Sequence, residues 1–492
     1  MGEIPQGYSD RLYNEDLAPR TGKGTWKTWD LFAWWMSAWH SLADYTAAVG
    51  LLVLGLMGWQ LAVALCIGVV IIYFISNLMG VAGQKLGVPF PVFARASFGV
   101  YGANIPALLR AVVAVAWYGI QTYLASVVIM ILALKIMPAS EALTESSFLG
   151  LSPLGWICFL TLWTAQLIVL YRGMESVRKL SDFAGPAIWV AMIALAVWTL
   201  NRANWTLDWS YHIGSAPLSF GPSIVAMASA VFLIVALLSG PVLNFADFTR
   251  LAPNRKTVVN GNRLGLLING IAFCLVAMVI TLASAEVYGK AIDDPIVLIR
   301  DIDNITVLLL AIIAIGVSTA GINIILNFVS PAYDFANLAP KYISFKTGGV
   351  ITAVLSIVIL PWNLYSNPVV VNMFLGGIGA LMGPLFGIIM ADYYLIRKGQ
   401  VNADSLYKDN PDGKYFYTRG TNLNSVYALT ISGIVTLCLA LIPVFSAVHA
   451  FSWPIGTLLG AIMCLVINRA RPNIHSRTAD LSQEAAEVPD PV

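Results

Sequence analysis

Apolar residues fill this chain in long blocks, with the charges confined to the gaps. Asp, Glu, Lys and Arg are missing from 45–84, 111–134, 146–171, 183–201, 264–285, 304–333, 347–391 and 420–468. A helix needs about 20 predominantly apolar residues to cross the core of a bilayer, and several blocks are long enough for two crossings. Divided at their turn signals, the blocks predict twelve spans: 28–57, 60–84, 102–134, 153–171, 183–200, 222–246, 262–286, 304–330, 348–364, 368–396, 424–443 and 450–468. Two of these look interrupted. Span one carries His40, Ser41 and Asp44 at its middle, and span six carries Gly240 followed by Pro241 in "LLSGPVLNFADF". Proline removes a backbone donor and displaces the carbonyl four residues back. Backbone freed at membrane depth is tolerated only where protein or a water-lined cavity satisfies it. First and sixth are corresponding positions in a five-plus-five arrangement, the pattern of inverted-repeat secondary transporters, with simple kinks as the competing reading.

Composition agrees with an all-α polytopic membrane protein of about twelve transmembrane helices. Only 11% of the 492 residues are charged and 58% are apolar, against about 25% charged in a soluble domain. With a cytoplasmic N-terminus, 23 of the 28 Lys and Arg fall on the inside. Lys135, Arg202, Lys290 and Arg300 fall outside, and Arg110 lies within span three. This bias predicts N-in, C-in topology in the plasma (inner) membrane. The expected organisation is a cytoplasmic arm over 1–27, a twelve-helix transporter domain over 28–468 and a mobile cytoplasmic tail over 469–492. Residues 1–27 carry no signal-peptide pattern. Cys66, Cys158, Cys274, Cys438 and Cys464 all lie in spans without a CxxC pair and read as packing residues. No Walker-type loop is present, and the four His residues at 40, 212, 449 and 475 are scattered. An ATP-driven pump and an enzyme are therefore unsupported, and neither a cofactor nor a metal centre is expected. A net charge of +2 gives no argument for a nucleic-acid partner.

Two spans carry polar groups at helical spacing. In "AWYGIQTY" of span three, Trp117 and Gln121 share a face. A flat indole can stack on a heterocycle, and a carboxamide one turn away can donate and accept at its edge. Lipid contact for Trp117 and an interhelical bond for Gln121 are the plain alternative. In span eight, Asn323 and Asn327 are likewise four apart. A polar substrate or an interhelical bond could occupy Asn323, whereas the substrate reading is the stronger for Asn327.

These residues belong to longer strings. "NEDLAPRTGKGTWKTW", "KLGVPFPVFARASFGVYGANIPALLRA", "WYGIQ", "DFTR", "NFVSPAYDFANLAPKYISFKTG" and "GPLFGIIMADYYLIRKG" resemble the nucleobase:cation symporter-one family over nearly the whole chain, the bacterial allantoin permeases most. The resemblance implies a leucine-transporter-like fold of two inverted five-helix repeats plus two helices. It places substrate between broken helices one and six and helices three and eight. It implies that Trp117 stacks on the heterocycle and that Gln121 and Asn327 bond its ring amides and carbonyls. The backbone around Ala38 to Ser41 would line the same cavity, and Phe374 of span ten, in "NMFLGG", is a gate candidate.

Three departures sharpen the expectation. Hydantoin and allantoin transporters have a second Trp where this chain has Leu238. The sodium site of the hydantoin transporter uses hydroxyls at positions that fall on Gly321 and Ile322, leaving mainly the carbonyls of Ala38, Ser41 and Ser318. Asp44 stands where allantoin permeases have an uncharged residue. A carboxylate at membrane depth costs about 2.5–3.5 kcal/mol on insertion scales, so a protonatable site is one reading, with His40 as its partner. A wet structural carboxylate and direct contact with substrate N–H groups are the others. The expected function is a symporter importing allantoin, uracil, another nucleobase or a hydantoin, coupled to H+ in preference to Na+. A Na+-coupled hydantoin-type symporter and a passive channel are the rival readings.

Overall fold

The computed structural model describes residues 4–39, 42–292, 297–298, 309, 316, 319–366 and 368–472. Among these, nine helices are long and apolar enough to cross a membrane, and β-structure is confined to two isolated bridges. In chain order the helices are α1 (Thr28–Ala38), α2 (Leu42–Gly50), α3 (Gly58–Leu86), α4 (Phe90–Phe98), α5 (Asn104–Ile136), α6 (Pro153–Tyr171), α7 (Met174–Arg202), α8 (Phe220–Leu237), α9 (Ser239–Leu243), α10 (Ala246–Thr249), α11 (Arg255–Asn262), α12 (Asn269–Tyr288), α13 (Val329–Leu338), α14 (Phe345–Val358), α15 (Pro361–Tyr365), α16 (Pro368–Met390), α17 (Leu423–Leu441) and α18 (Ser452–Ala470). Glycines in the left-handed conformation stop the apolar runs where they leave the membrane, Gly87 after α3 and Gly289 after α12.

The predicted spans are recognisable, with corrections that have local causes. Span one is two helices, α1 and α2, followed by a tight turn over Leu51–Leu54. Span six breaks at Leu238, two residues ahead of the Gly240–Pro241 pair. The ring of Pro241 excludes the carbonyl of Leu237, so the disturbance falls one turn upstream. Span five begins at Met174, well before the predicted 183. Arg178 pairs with Glu175 at 2.7 Å and with Asp30 at 2.9 Å, and these bonds carry the helix into the charged segment. Span seven is extended backwards through α11 by a π-helical turn over Arg263–Ile268. Span nine is divided into α14 and α15 by Leu360 at φ 49° with Pro361 next. The described part of span eight contains a second π-turn, Ile324–Phe328, leading into α13.

Connections segregate to two faces. On one lie the N-terminal arm, α4, the segment after α9, the 338–345 turn and the 397–422 loop. They are tied together by Asn14 Nδ2 to the Pro340 carbonyl at 3.1 Å, Tyr407 Oη to the Leu17 carbonyl at 2.6 Å, and Lys85 Nζ to the Gly399 carbonyl at 2.7 Å. On the other face the 204–212 segment bonds the start of α3, Trp59 N to the Trp209 carbonyl at 3.0 Å.

Candidate functional site

The break in span six faces α2, α5 and span eight across one cavity. It is lined by Asp44 of α2, Arg110, Trp117 and Gln121 of α5, Leu238 and Gly240 at the break in span six, and Asn327 of the span-eight π-turn. Its free volume is ≈ 20 Å³, about what one water needs. A wider apolar chamber of ≈ 230 Å³ adjoins it, sharing Trp117, Leu237 and Ile378 and reaching His449 in the turn before α18. Trp117 therefore stands between the two spaces. Phe374 of α16 lies against its indole with ring centroids 5.8 Å apart and planes inclined at 55°.

Each wall follows from local sequence. Trp117 and Gln121 share the inner face of α5, as their spacing requires. Gln121 is buried, and its Oε1 accepts no hydrogen bond among the described residues. Asn323 and Asn327 diverge. The Asn323 amide donates to the Tyr118 carbonyl at 2.9 Å, to Thr122 Oγ1 at 2.9 Å and to Gln166 Oε1 at 3.0 Å, and it is absent from the cavity wall. Its Oδ1 accepts from Asn327 Nδ2 at 3.2 Å. Asn323 thus anchors span eight to spans three and four and aims Asn327, which reaches the cavity. Leu238 is buried and presents an aliphatic surface there.

Arg110, by sequence a lone charge within span three, joins the site. Buried in α5, it donates from Nε to the Gly240 carbonyl at 3.1 Å and from Nη2 to the Leu326 carbonyl at 3.1 Å. Those carbonyls belong to the broken segment of span six and the π-turn of span eight, where the regular helical ladder is interrupted. A Cβ on Gly240 would stand 3.3 Å from the Arg110 Cζ, a tight contact that would press on the guanidinium. The sequence signal was a lone cation in an otherwise charge-free span. Thr122 and Gln166, which complete the Asn323 network, carried no such signal.

Of the remaining expected residues, Asp44 is buried on the cavity wall, and Ala38 closes α1, also buried. His40, Ser41 and Ser318 lie outside the described residues. A Cβ at Gly321 would meet the Ala184 Cβ at 2.9 Å, and Ile322 is fully buried. Span eight has thus closed against α7 where a hydroxyl-bearing side chain would need room. No group of three or more His, Cys, Asp and Glu that could hold a metal ion occurs among the described residues.

Comparison with known proteins places these features. Residues 20–456 match the family model described as permease for cytosine/purines, uracil, thiamine, allantoin. The chain is 36% identical to the allantoin permease of Bacillus subtilis over 95% of both chains. It is 34% identical to a purine-uracil permease of Arabidopsis thaliana, over 90% of this chain and 74% of that one. Among solved structures it superposes with a TM-score of 0.73 on Mhp1, a nucleobase-cation-symport-1 family transporter in a closed conformation with bromovinylhydantoin bound. The match covers 95% of this chain and 99% of that one at 23% identity.

Proposed function

The chain belongs to the family of permeases for cytosine/purines, uracil, thiamine and allantoin and is a multi-pass membrane transporter, not an enzyme; from that premise we propose a proton-coupled symporter. Its cargo is a small nitrogen heterocycle such as allantoin, uracil, another nucleobase or a hydantoin. The observation that carries this reading is the meeting of Trp117, Gln121, Asn327 and Asp44 on one cavity between two broken spans. An indole face, a carboxamide with an unspent acceptor and a second carboxamide are the groups that recognise a flat ring bearing amide N–H and C=O edges.

A heterocycle needs far more room than ≈ 20 Å³, so binding must accompany separation of the helices that wall the cavity. Span ten, with Phe374 on Trp117, would open toward the apolar chamber, and the halves of spans one and six on the arm side would open in turn. Two features support H+ over Na+. Gly321 and Ile322 offer no side-chain oxygen at the sodium-site positions, and Asp44 supplies a carboxylate beside the cavity, with His40 as its expected partner. The 1–27 arm, the 28–468 domain and the 469–492 tail are proposed to lie as the Lys and Arg distribution predicts, both termini cytoplasmic in the plasma membrane.

The test is uptake of labelled bases, ureides and hydantoins with pH and Na+ gradients imposed separately. Saturable accumulation driven by an inward proton gradient, unchanged when Na+ is replaced, is expected. Accumulation that follows Na+ alone would refute proton coupling, and flux that never exceeds equilibration would make the protein a passive facilitator. Within that assay, Asp44→Asn is expected to lose pH-driven accumulation.

A further inference from the structure

On the arm side of the cavity, a second buried polar cluster joins spans three, six and eight. It consists of Arg110, Asn244, Asp247 of α10 and Asp334 of α13, all buried. Asp247 is well supplied with donors: Oδ1 accepts from the Phe90 backbone N–H at 2.7 Å and Oδ2 from Asn244 Nδ2 at 3.1 Å. Asp334 has no such support. Neither of its oxygens accepts a hydrogen bond among the described residues, and Asn244, which faces it, has an Oδ1 equally without a donor. Three acceptor oxygens are thus gathered in a place closed to solvent, where buried polar atoms ordinarily find partners. Asp247 takes a further hydrogen bond from the Ser330 side chain, which leaves Asp334 the poorer of the two carboxylates in donors. One additional hydrogen on Asp334 changes an acceptor into a donor for Asn244 Oδ1.

The charges point the same way. Asp334 is faced by Arg110 from α5 and by Asp247 from α10. Arg250 faces Asp247 and donates to Tyr333 Oη at 2.9 Å. Arg95 of α4 is turned away to Asn337 and the Leu406 carbonyl, and Asp16 of the arm is turned to the Phe345 N–H. Two cations, Arg110 and Arg250, therefore face this pair of carboxylates, and both spend donors on other groups. Arg110 spends Nε and Nη2 on the Gly240 and Leu326 carbonyls, while its buried Nη1 has no partner.

We propose that Asp334 is a second proton-binding site of the transport cycle. In this conformation its carboxyl holds a proton and donates to Asn244. When spans six and eight separate, the O–H bond breaks, the proton leaves to water on the arm side, and the carboxylate pairs with Arg110 Nη1. Because Arg110 also grips spans six and eight, the same guanidinium senses the charge of Asp334 and the state of the cavity. This rests on the proton-coupled reading above and adds where a coupled proton sits.

Infrared difference spectroscopy on the purified full-length protein tests it directly. The protein at neutral pH should show a protonated-carboxyl C=O band that is missing in Asp334→Asn and kept in Asp44→Asn. A spectrum unchanged by Asp334→Asn overturns the proposal. Asn244→Leu, which leaves the carboxyl in place, should move that band to higher frequency as its hydrogen bond is lost; an unmoved band also overturns it. In proteoliposomes with labelled allantoin as probe, Asp334→Asn should retain exchange across the membrane while accumulating less under a pH gradient. Each coupled proton supports about tenfold accumulation per pH unit, so accumulation in the variant should fall about tenfold per pH unit. Accumulation equal to that of the unmodified protein would overturn the proposal. Should accumulation in the unmodified protein follow Na+ instead, the coupling reading falls by itself, while the infrared band still decides whether Asp334 holds a proton.

Discussion

Gln121 meets the cavity with an oxygen that spends no hydrogen bond inside the protein, so a bound N–H is its natural partner. Replacing Gln121 by Ala should weaken apparent affinity by about 1–3 kcal/mol, or about 5- to 150-fold, with expression unchanged. Uptake kinetics over a substrate series would measure this. Gly240 has a different task, since the Arg110 guanidinium packs close over its Cα. Gly240→Ala should press on that group, strain its bonds to the carbonyls of spans six and eight and lower maximal uptake while the protein still reaches the membrane. An Arg110→Lys variant, which keeps the charge and loses the planar fork, should show the same slowed turnover. Unaltered turnover in both would mean the clamp is not used. At this scale the sequence was partly legible. Trp117 and Gln121 shared a face by spacing alone, whereas Asn323 and Asn327 had the same spacing and the structure gave them different work. Helical periodicity states which residues share a face but not which neighbour that face meets.

Three of the helical interruptions lie in spans that wall the site. Span one is interrupted before α2, span six at Leu238 and span eight at the π-turn holding Asn327. Away from the cavity, α16 and α18 are held in close contact by small residues on both sides. A Cβ at Gly383 would stand 2.5 Å from the Trp453 carbonyl oxygen and one at Gly460 would stand 2.6 Å from that of Pro384, while Gly387 is pressed against the Thr457 carbonyl. Such small-residue seams let membrane helices approach closely. Gly460→Leu should therefore separate α18 from α16, costing about 1–3 kcal/mol or more, visible as a lower thermal midpoint in detergent. The moving part of span ten would then be its other end, where Phe374 meets Trp117. Phe374→Ala removes a contact worth about 0.5–1.5 kcal/mol and should speed substrate dissociation with little change in stability. Equal dissociation rates would remove Phe374 from the gate. The breaks in spans one and six were legible from His40, Asp44, Gly240 and Pro241. The π-turns were not, because one inserted residue leaves apolar periodicity almost unchanged.

The molecule as a whole has two faces, and the arm spans much of one. Asn14 reaches the 340–343 turn, Tyr8 stacks on Tyr407 with centroids 4.8 Å apart, and Arg20 donates to the Arg250 and Ala252 carbonyls. Arg250 in return donates to the carbonyls of Asp16 and Ala18 at 3.2 and 3.3 Å. The arm thus joins the ends of spans six and eight to the 397–422 loop. Removing residues 1–20 should lower the thermal midpoint and expose the 397–422 loop to limited proteolysis. Equal cleavage rates with and without the arm would show that the strap contributes nothing.

By itself the sequence determined the class of molecule: charge-free blocks of bilayer length admit few structures other than membrane helices, since backbone groups in lipid must be satisfied within the segment. It also determined the division of connections between two faces, because each span reverses the side and Lys and Arg record the alternation. Its long strings led to the family, and its Gly240–Pro241 pair marked the interruption of span six. The tertiary structure alone decided which polar groups meet. Arg110 finds carbonyls 130 and 216 positions away, and Asp334 comes to face Asn244 and Asp247 across span boundaries. Hydrogen bonds and charge pairing depend on distances of a few ångströms between elements remote in sequence, and local pattern carries no term for that.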